Sequence, residues 1–119
     1  MATITEDYVS FETAKLLKEK GFEQHKCQHS YSSKGVFKWS DNLDPYEYSA
    51  PTHQMAMKWL SEVYKIYIVI SPVSGKGYGA ILCDVGDFDD FNYIGETDYF
   101  FHPEEAIEAA IKYSLENLL

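Results

Sequence analysis

The sequence predicts an α+β domain of two layers, in which three helices pack on a mostly antiparallel sheet of about four to five strands. Three segments have apolar residues at helical spacing, and short runs of β-branched and aromatic residues lie between them. Most connections between these segments are short, and no repeat or long linker divides the chain. We therefore expect residues 1–119 to form a single domain around one core.

The first half of the chain predicts two helices and a hairpin. A helix near residues 10–20 has Ser10 as its N-cap and ends at Gly21, where a left-handed residue is favoured. A hairpin over residues 24–39 is expected because "SSKG" is a typical turn and "VFKW" favours a strand. A second helix is predicted near residues 52–65. The apolar stripe that we assign to its core side consists of Met55, Ala56, Trp59, Leu60 and Val63.

The second half predicts two strands and the clearest helix. "IYIVI" favours a central strand near residues 66–71, which Pro72 ends. After the turn "SGKGYG", "AILCDV" returns as a strand that places Cys83 on the core face. A helix near residues 103–118 begins with His102 as cap and Pro103 as first residue. Its apolar stripe consists of Ala106, Ile107, Ala110, Ile111, Leu115 and Leu118.

Charge and hydropathy exclude several classes of partner. Nineteen Asp and Glu against ten Lys and Arg give a net charge of −9, which repels phosphate backbones and argues against nucleic-acid binding. No stretch approaches the roughly 18 apolar residues of a membrane span, and "MATITEDYVS" lacks the features of a secretory signal. We expect a cytoplasmic protein with no membrane partner, in which Cys27 and Cys83 are reduced thiols.

Three blocks of the sequence carry a resemblance to a known group of proteins. "YVSFETAKLLKEKGF", "YSAPTHQMAMKWLSEVYKI" and "EEAIEAAIKYSLENLL" resemble small acidic proteins encoded by Bacteroides phages and prophages. The resemblance covers the three predicted helices and little of residues 71–98. It implies a bacterial or phage origin, and it assigns no activity and no catalytic residue.

His25, Cys27 and His29 in "EQHKCQHSYS" form a weak candidate metal site. Residues two apart on a strand share a face, with Cα atoms about 6.5 to 7 Å apart, so two of them could bind one zinc ion. The outer histidines would be about 13 Å apart, which is too far for three ligands on one ion. We therefore interpret the pattern as one face of an edge strand, with Cys27 packed between solvent-facing imidazoles, and we predict no metal and no cofactor.

Two further motifs resemble catalytic chemistry only weakly. A cysteine beside histidines could become a thiolate nucleophile, but no oxyanion donor or orienting group is recognisable in the sequence. "SGKGYGA" lacks the order of glycines, Lys and Ser or Thr that surrounds a phosphate, so it is interpreted as a turn.

The segment "DVGDFDDFNYIGETDYFF" mixes carboxylates with aromatic residues. It lacks the Gly and Glu positions of a calcium-binding EF-hand loop. One interpretation is an acidic loop that leads into an edge strand, and the other is a surface that binds a basic protein. The candidate partner-binding residues are Asp87, Phe88, Asp89, Asp90, Phe91 and Tyr93.

The leading functional hypothesis is a non-enzymatic protein-interaction module of phage or prophage origin that modulates a host protein. The first alternative is a small enzyme or metal-binding protein centred on Cys27, His25 and His29. The second is an acidic DNA mimic that occupies a nucleic-acid-binding protein. Its acids should lie on one face, whereas here they are spread over all three predicted helices and residues 84–98.

Overall fold

Three helices and two small antiparallel sheets make up the computed structural model, which describes residues 7–24, 27–39, 46–85 and 91–119. In chain order the elements are α1 (Phe11–Glu19), β1 (His29–Tyr31), β2 (Phe37–Trp39), β3 (Tyr48–Ser49), α2 (His53–Tyr64), β4 (Ile66–Val73), β5 (Gly77–Val85), β6 (Phe91–Glu96) and α3 (Pro103–Tyr113), which continues into a π-helical turn over Ser114–Leu118. The α+β class predicted from the sequence is confirmed.

The strands form two sheets in place of the single sheet that the sequence predicted. The first sheet has the order β2-β1-β3 and the second has the order β4-β5-β6, so β4 is an edge strand and the central position predicted for it is wrong. β3 pairs with β1 through Ser30 with Ser49 and Tyr31 with Tyr48, which joins it to the hairpin. α2 then lies between β3 and β4 in the chain, so the first sheet is complete before the strands of the second sheet begin.

The ends of α1 follow the predicted signals. The Ser10 hydroxyl accepts a hydrogen bond from the backbone N–H of Thr13, which caps the first turn. Gly21 has a φ of 96°, and its N–H donates to the carbonyl of Lys18. The N–H of Phe22 donates to the carbonyl of Leu17 at 2.9 Å, so the helix ends in a Schellman motif.

Only part of the predicted stripe of α2 lies in the core. Thr52 caps the helix, and Ala56 and Leu60 are fully buried. Met55 and Val63 are 39% and 56% exposed, so their assignment to the core is wrong. Helical spacing places all these residues on one side of α2, but the described neighbours cover only the part of that side that faces α3 and β4.

The core face of β5 is the opposite of the predicted one. Ala80 and Leu82 are buried among the helices, whereas Cys83 is half-buried and lies on the other face. β5 is the central strand of its sheet and has apolar residues on both faces, so alternation alone could not tell which face is the core.

α3 covers the inner face of the second sheet, as its stripe predicted. Ala106, Ala110, Ile111 and Leu115 are fully buried, and the helix contacts both β4 and β5. On β6, Gly95 and Tyr93 oppose the consecutive residues Leu82 and Cys83, so Ile94 is the extra residue of a β-bulge. A side chain at position 95 would come within 2.9 Å of the Tyr113 ring, which explains the glycine there.

Leu60→Ala and Ile111→Ala should each lower the free energy of unfolding by about 2 to 5 kcal/mol, because both side chains are fully buried and the truncation leaves a cavity. Val63→Ala is the matched control on the exposed side of α2, with an expected change within about 0.5 kcal/mol. Urea unfolding followed by circular dichroism measures all three. A loss below about 0.5 kcal/mol for Leu60→Ala would contradict the packing of α2 on the core.

Candidate functional site

Glu108 on α3 accepts hydrogen bonds from residues at the starts of the other two helices. Its Oε1 lies 2.9 Å from His53 Nε2 and 3.1 Å from the backbone nitrogen of Ser10. Its Oε2 accepts from the Ser10 hydroxyl at 2.9 Å and from the Thr13 hydroxyl. Ser10 caps α1 and His53 is the first residue of α2, so one carboxylate joins all three helices.

This cluster has the residue types of a hydrolase site but not the connectivity of one. In a nucleophilic triad the imidazole lies between the hydroxyl and the carboxylate, so that it can take the hydroxyl proton. Here the Glu108 carboxylate lies between Ser10 and His53 and binds both. The arrangement therefore holds a carboxylate in place and does not activate a nucleophile.

The hydrogen bonds determine the charge state of Glu108. Burial by itself raises the pKa of this carboxyl group, but the bonds from His53, Thr13 and Ser10 outweigh burial and hold the pKa below its ordinary value. Glu108 is therefore ionised at neutral pH. His53 is buried, and its Nδ1 has no hydrogen-bond partner among the described residues.

The structure describes two of the three residues of the weak metal candidate. His25 lies outside the described residues. Cys27 precedes β1, and burial raises the pKa of its thiol to about 11, so it stays protonated at neutral pH. His29 is the first residue of β1, which is the central strand of its sheet, so the prediction of an edge strand is wrong.

The His29 ring packs as an aromatic side chain. It stacks on Phe37 with ring centroids 4.9 Å apart and contacts Trp39 and Tyr8 edge-on or nearly so. The Nδ1 atom of His29 is buried and has no hydrogen-bond partner in the described part of the chain. Within residues 7–24, 27–39, 46–85 and 91–119, no group of three His, Cys, Asp or Glu side chains could hold a metal ion.

An open apolar groove of about 650 Å³ lies between the end of α1 and α2. The Trp59 ring lies at its base, between Phe22 and Tyr64, with ring centroids 5.5 and 5.2 Å away. Sequence reasoning placed Trp59 in the core because its helical spacing is the same for a core residue and a groove residue. The rim carries charges of both signs, from Lys20, Glu23, Lys58 and Glu62, so it does not favour a partner of one charge.

The second sheet has an apolar face that points away from the helices. The apolar and aromatic residues of this outer face are Tyr67, Val69, Ile81, Cys83 and Tyr93, and the exposed Glu96 lies on the same face opposite Ile81. Tyr67, Val69 and Tyr93 are 38%, 51% and 61% exposed. In most two-layer domains the free face of an antiparallel sheet alternates to polar residues, so this apolar free face is a candidate binding surface.

Of the predicted partner-binding residues, Tyr93 is the one whose side chain the structure describes. Asp87, Phe88, Asp89 and Asp90 lie outside the described residues. The backbone of Phe91 pairs with Val85 at the start of β6. Tyr93 lies on the outer face, beside Cys83 on β5. Partial desolvation and the Glu96 carboxylate raise the pKa of Tyr93, so its hydroxyl stays protonated.

Comparison of the chain with protein-family models, curated proteins and solved structures finds no match. The resemblance to phage-encoded acidic proteins therefore remains a prediction from the sequence. None of the described helices is long and apolar enough to span a membrane.

Glu108→Gln should lower the free energy of unfolding at neutral pH by about 1 to 3 kcal/mol, because the donors of Ser10 and of the buried Thr13 and His53 lose a charged acceptor. The lowered pKa means that the ionised carboxylate stabilises the fold above the ordinary glutamate value of 4.5 and that this stability is lost as the pH falls through the folded-state pKa. The difference between the unmodified and variant proteins should therefore shrink in acid.

Urea unfolding at neutral and acidic pH measures this difference. Glu19→Gln is a matched control, since Glu19 is an exposed carboxylate at the end of α1, and it should leave the pH dependence unchanged. Equal stability of Glu108→Gln and the unmodified protein at neutral pH would show that the carboxylate does not hold the helices together.

The melting temperature should not change when zinc or a chelator is added, because a protein that binds no metal is not stabilised by metal binding. The Cys27→Ser, His29→Ala double variant should respond in the same way. Differential scanning fluorimetry on protein purified without chelator tests this. A drop of several degrees on chelation in the unmodified protein alone would establish a metal site at these residues.

Proposed function

We propose that this chain is a non-enzymatic protein-interaction module of phage or prophage origin, which acts in the bacterial cytoplasm by binding a basic surface of a host protein. The observation that carries the proposal is the exposed apolar outer face of the second sheet. The phage origin rests on the resemblance of the three helical blocks, and the other parts rest on the chemistry of the surface.

The outer face has the composition of a binding surface. Tyr67 and Tyr93 present aromatic rings that end in hydroxyl groups, with Cys83 between them in register, and Val69 and Ile81 form the next row of the same face. Tyrosine is enriched at protein interfaces because it contributes a large contact area and one hydrogen bond at a small cost in conformational entropy. The bulge at Ile94 keeps Tyr93 on this face while Ile94 itself packs against the core.

The charges beside the outer face favour a basic partner. Glu96 is paired in register with Ile81 and is exposed at the end of β6. The sequence between β5 and β6 contains Asp87, Asp89 and Asp90. Together with the net charge of −9, these carboxylates would attract a basic surface over long distances and speed its association.

Two observations support a non-enzymatic role. The Cys27 thiol is protonated at neutral pH, because burial raises its pKa to about 11, and a protonated thiol is a poor nucleophile. Glu108 accepts four hydrogen bonds, so its oxygens are occupied by the protein's own donors. A general base needs a free lone pair that can reach a substrate proton.

Affinity capture at low salt tests the proposal with two immobilised baits, the unmodified chain and Tyr93→Ala. The lysate should come from a Bacteroides host, as the resemblance implies. We expect a protein with a basic surface that the unmodified bait retains and that Tyr93→Ala loses. Recovery of no specific protein, or of the same proteins by both baits, would contradict binding at the outer face.

The kinetics of the captured partner separate the role of charge from that of contact. Replacing Asp87, Asp89 and Asp90 with Asn should lower the association rate and flatten its salt dependence, because long-range attraction speeds the encounter. Tyr93→Ala should raise the dissociation rate about tenfold, which corresponds to ~1.4 kcal/mol. Both effects are measured by surface plasmon resonance over a series of salt concentrations.

Tyr46→Ala is the matched control for Tyr93→Ala. Tyr46 is 77% exposed and lies just before β3, in the region of the other sheet. It should leave both rates unchanged. If Tyr46→Ala weakens binding while Tyr93→Ala and the triple Asn variant do not, the partner binds near residues 40–50 and the outer face is not the interface.

A further inference from the structure

β4 is an edge strand whose outer side is unpaired in the described part of the chain. The order of the second sheet is β4-β5-β6, and β4 pairs with β5 over its full length from Ile66 to Val73. On the side away from β5, its backbone N–H and C=O groups form the kind of row to which another strand can add. At eight residues β4 is longer than the mode for strands in globular proteins, about five to six residues.

β4 also lacks the features that normally keep an edge strand from pairing. Natural edges carry charged side chains or bulges, or they are very short. β2 has three residues with Lys38 at its centre, and β6 has the bulge at Ile94 and ends at Glu96. β4, "IYIVISPV", has no charged residue, and its register with β5 is continuous. Its one protective residue is Pro72, close to its end.

We propose that the β4 edge pairs with β4 of a second copy of this chain, antiparallel about a twofold axis. The two three-stranded sheets would then form one sheet of six strands, with the helices of both copies on the same side.

Charge favours a second copy over a different partner at this edge. Each copy has a net charge of −9, so two copies repel each other over most of their surfaces. Residues 66–75 contain no Asp, Glu, Lys, Arg or His, so two copies can meet here without placing like charges together. A basic partner would gain no electrostatic attraction from this strip, and it would be drawn to the acidic residues near β6.

The geometry of strand pairing also restricts the register, and we place the twofold axis at Val69, near the middle of β4. Residues directly opposite each other in an antiparallel pair lie on the same face of the sheet, so a twofold axis must pass between a residue and its own copy. An axis at Val69 pairs Ile68 with Ile70 of the second copy and leaves Pro72 opposite Ile66 at the ends. Val69 would therefore face Val69 of the second copy on the outer face, where it is 51% exposed.

Cysteine cross-linking tests this register in a chain whose two native cysteines are replaced by Ser. Opposite residues of an antiparallel pair have Cα atoms about 4.5 to 5.5 Å apart, which is within the usual range for a disulfide. Val69→Cys should therefore form a disulfide-linked dimer under mild oxidation. Tyr93→Cys, also exposed on the outer face, is the matched control and should form no disulfide-linked dimer. Equal cross-linking of both variants, or cross-linking of Tyr93→Cys alone, would overturn the proposal.

Sedimentation velocity tests the pairing without a cross-link. The unmodified chain should show a concentration-dependent dimer. Val69→Lys should raise its dissociation constant at least about tenfold, because two lysines would lie directly opposite each other, and Tyr93→Lys should not. Circular dichroism checks that both variants fold. An unmodified chain that stays monomeric at its highest soluble concentration would refute self-pairing, whether the edge then binds another protein's strand or stays free.

This inference does not depend on the proposed function. A dimer with no captured partner would leave the β4 pairing intact and remove the binding role. If the chain captures a partner but stays monomeric, the binding role is supported and the β4 pairing is refuted.

Discussion

The carboxylate of Glu108 is the contact on which the helical layer depends. It fixes the start of α1 through Ser10 and Thr13 and the start of α2 through His53, both against the middle of α3. A negative charge at two helix N-termini also interacts favourably with their dipoles. Because a half-buried carboxylate that loses donors keeps its desolvation cost, each helix stabilises the position of the others, and the three should assemble together.

This helical layer determines which sheet surfaces remain open. α3 lies over β4 and β5 and covers the inner face of the second sheet with Ala106, Ala110 and Ile111. The first sheet packs against α1, where Phe11 contacts the rings of Tyr31 and Tyr48. Because both sheets pack on the helices, the outer face of the second sheet has no described element over it. The surface proposed to bind a partner is therefore open because the helices pack on the inner face of the second sheet.

The sequence predicted the features that depend on near neighbours. Ser10, Gly21 and Pro103 mark helix ends because each acts within one turn of its own helix, whereas the predicted cap His102 makes no side-chain hydrogen bond there. Glu108 could not be singled out in the same way, since its partners lie 98, 95 and 55 residues away in the chain. The one sequence feature that could have pointed to Glu108 is its place beside the apolar stripe of α3, three residues before the buried Ile111. The division into two sheets depends on the pairing of β3 with β1, which two residues of strand do not reveal.

Charge divides the second sheet into parts with different capacities for binding. The acidic residues lie near β6 and in the sequence just before it, whereas β4 carries none, so repulsion between copies is weakest at one edge and attraction for a basic partner is strongest at the other. A dimer joined along β4 would place Tyr67 and Val69 of both copies around the twofold axis, with one Tyr93 toward each end. A partner with two basic patches, or two linked partners, could then contact both copies at once. The second contact would be intramolecular, so the dimer would bind more tightly than either copy alone without any new type of contact.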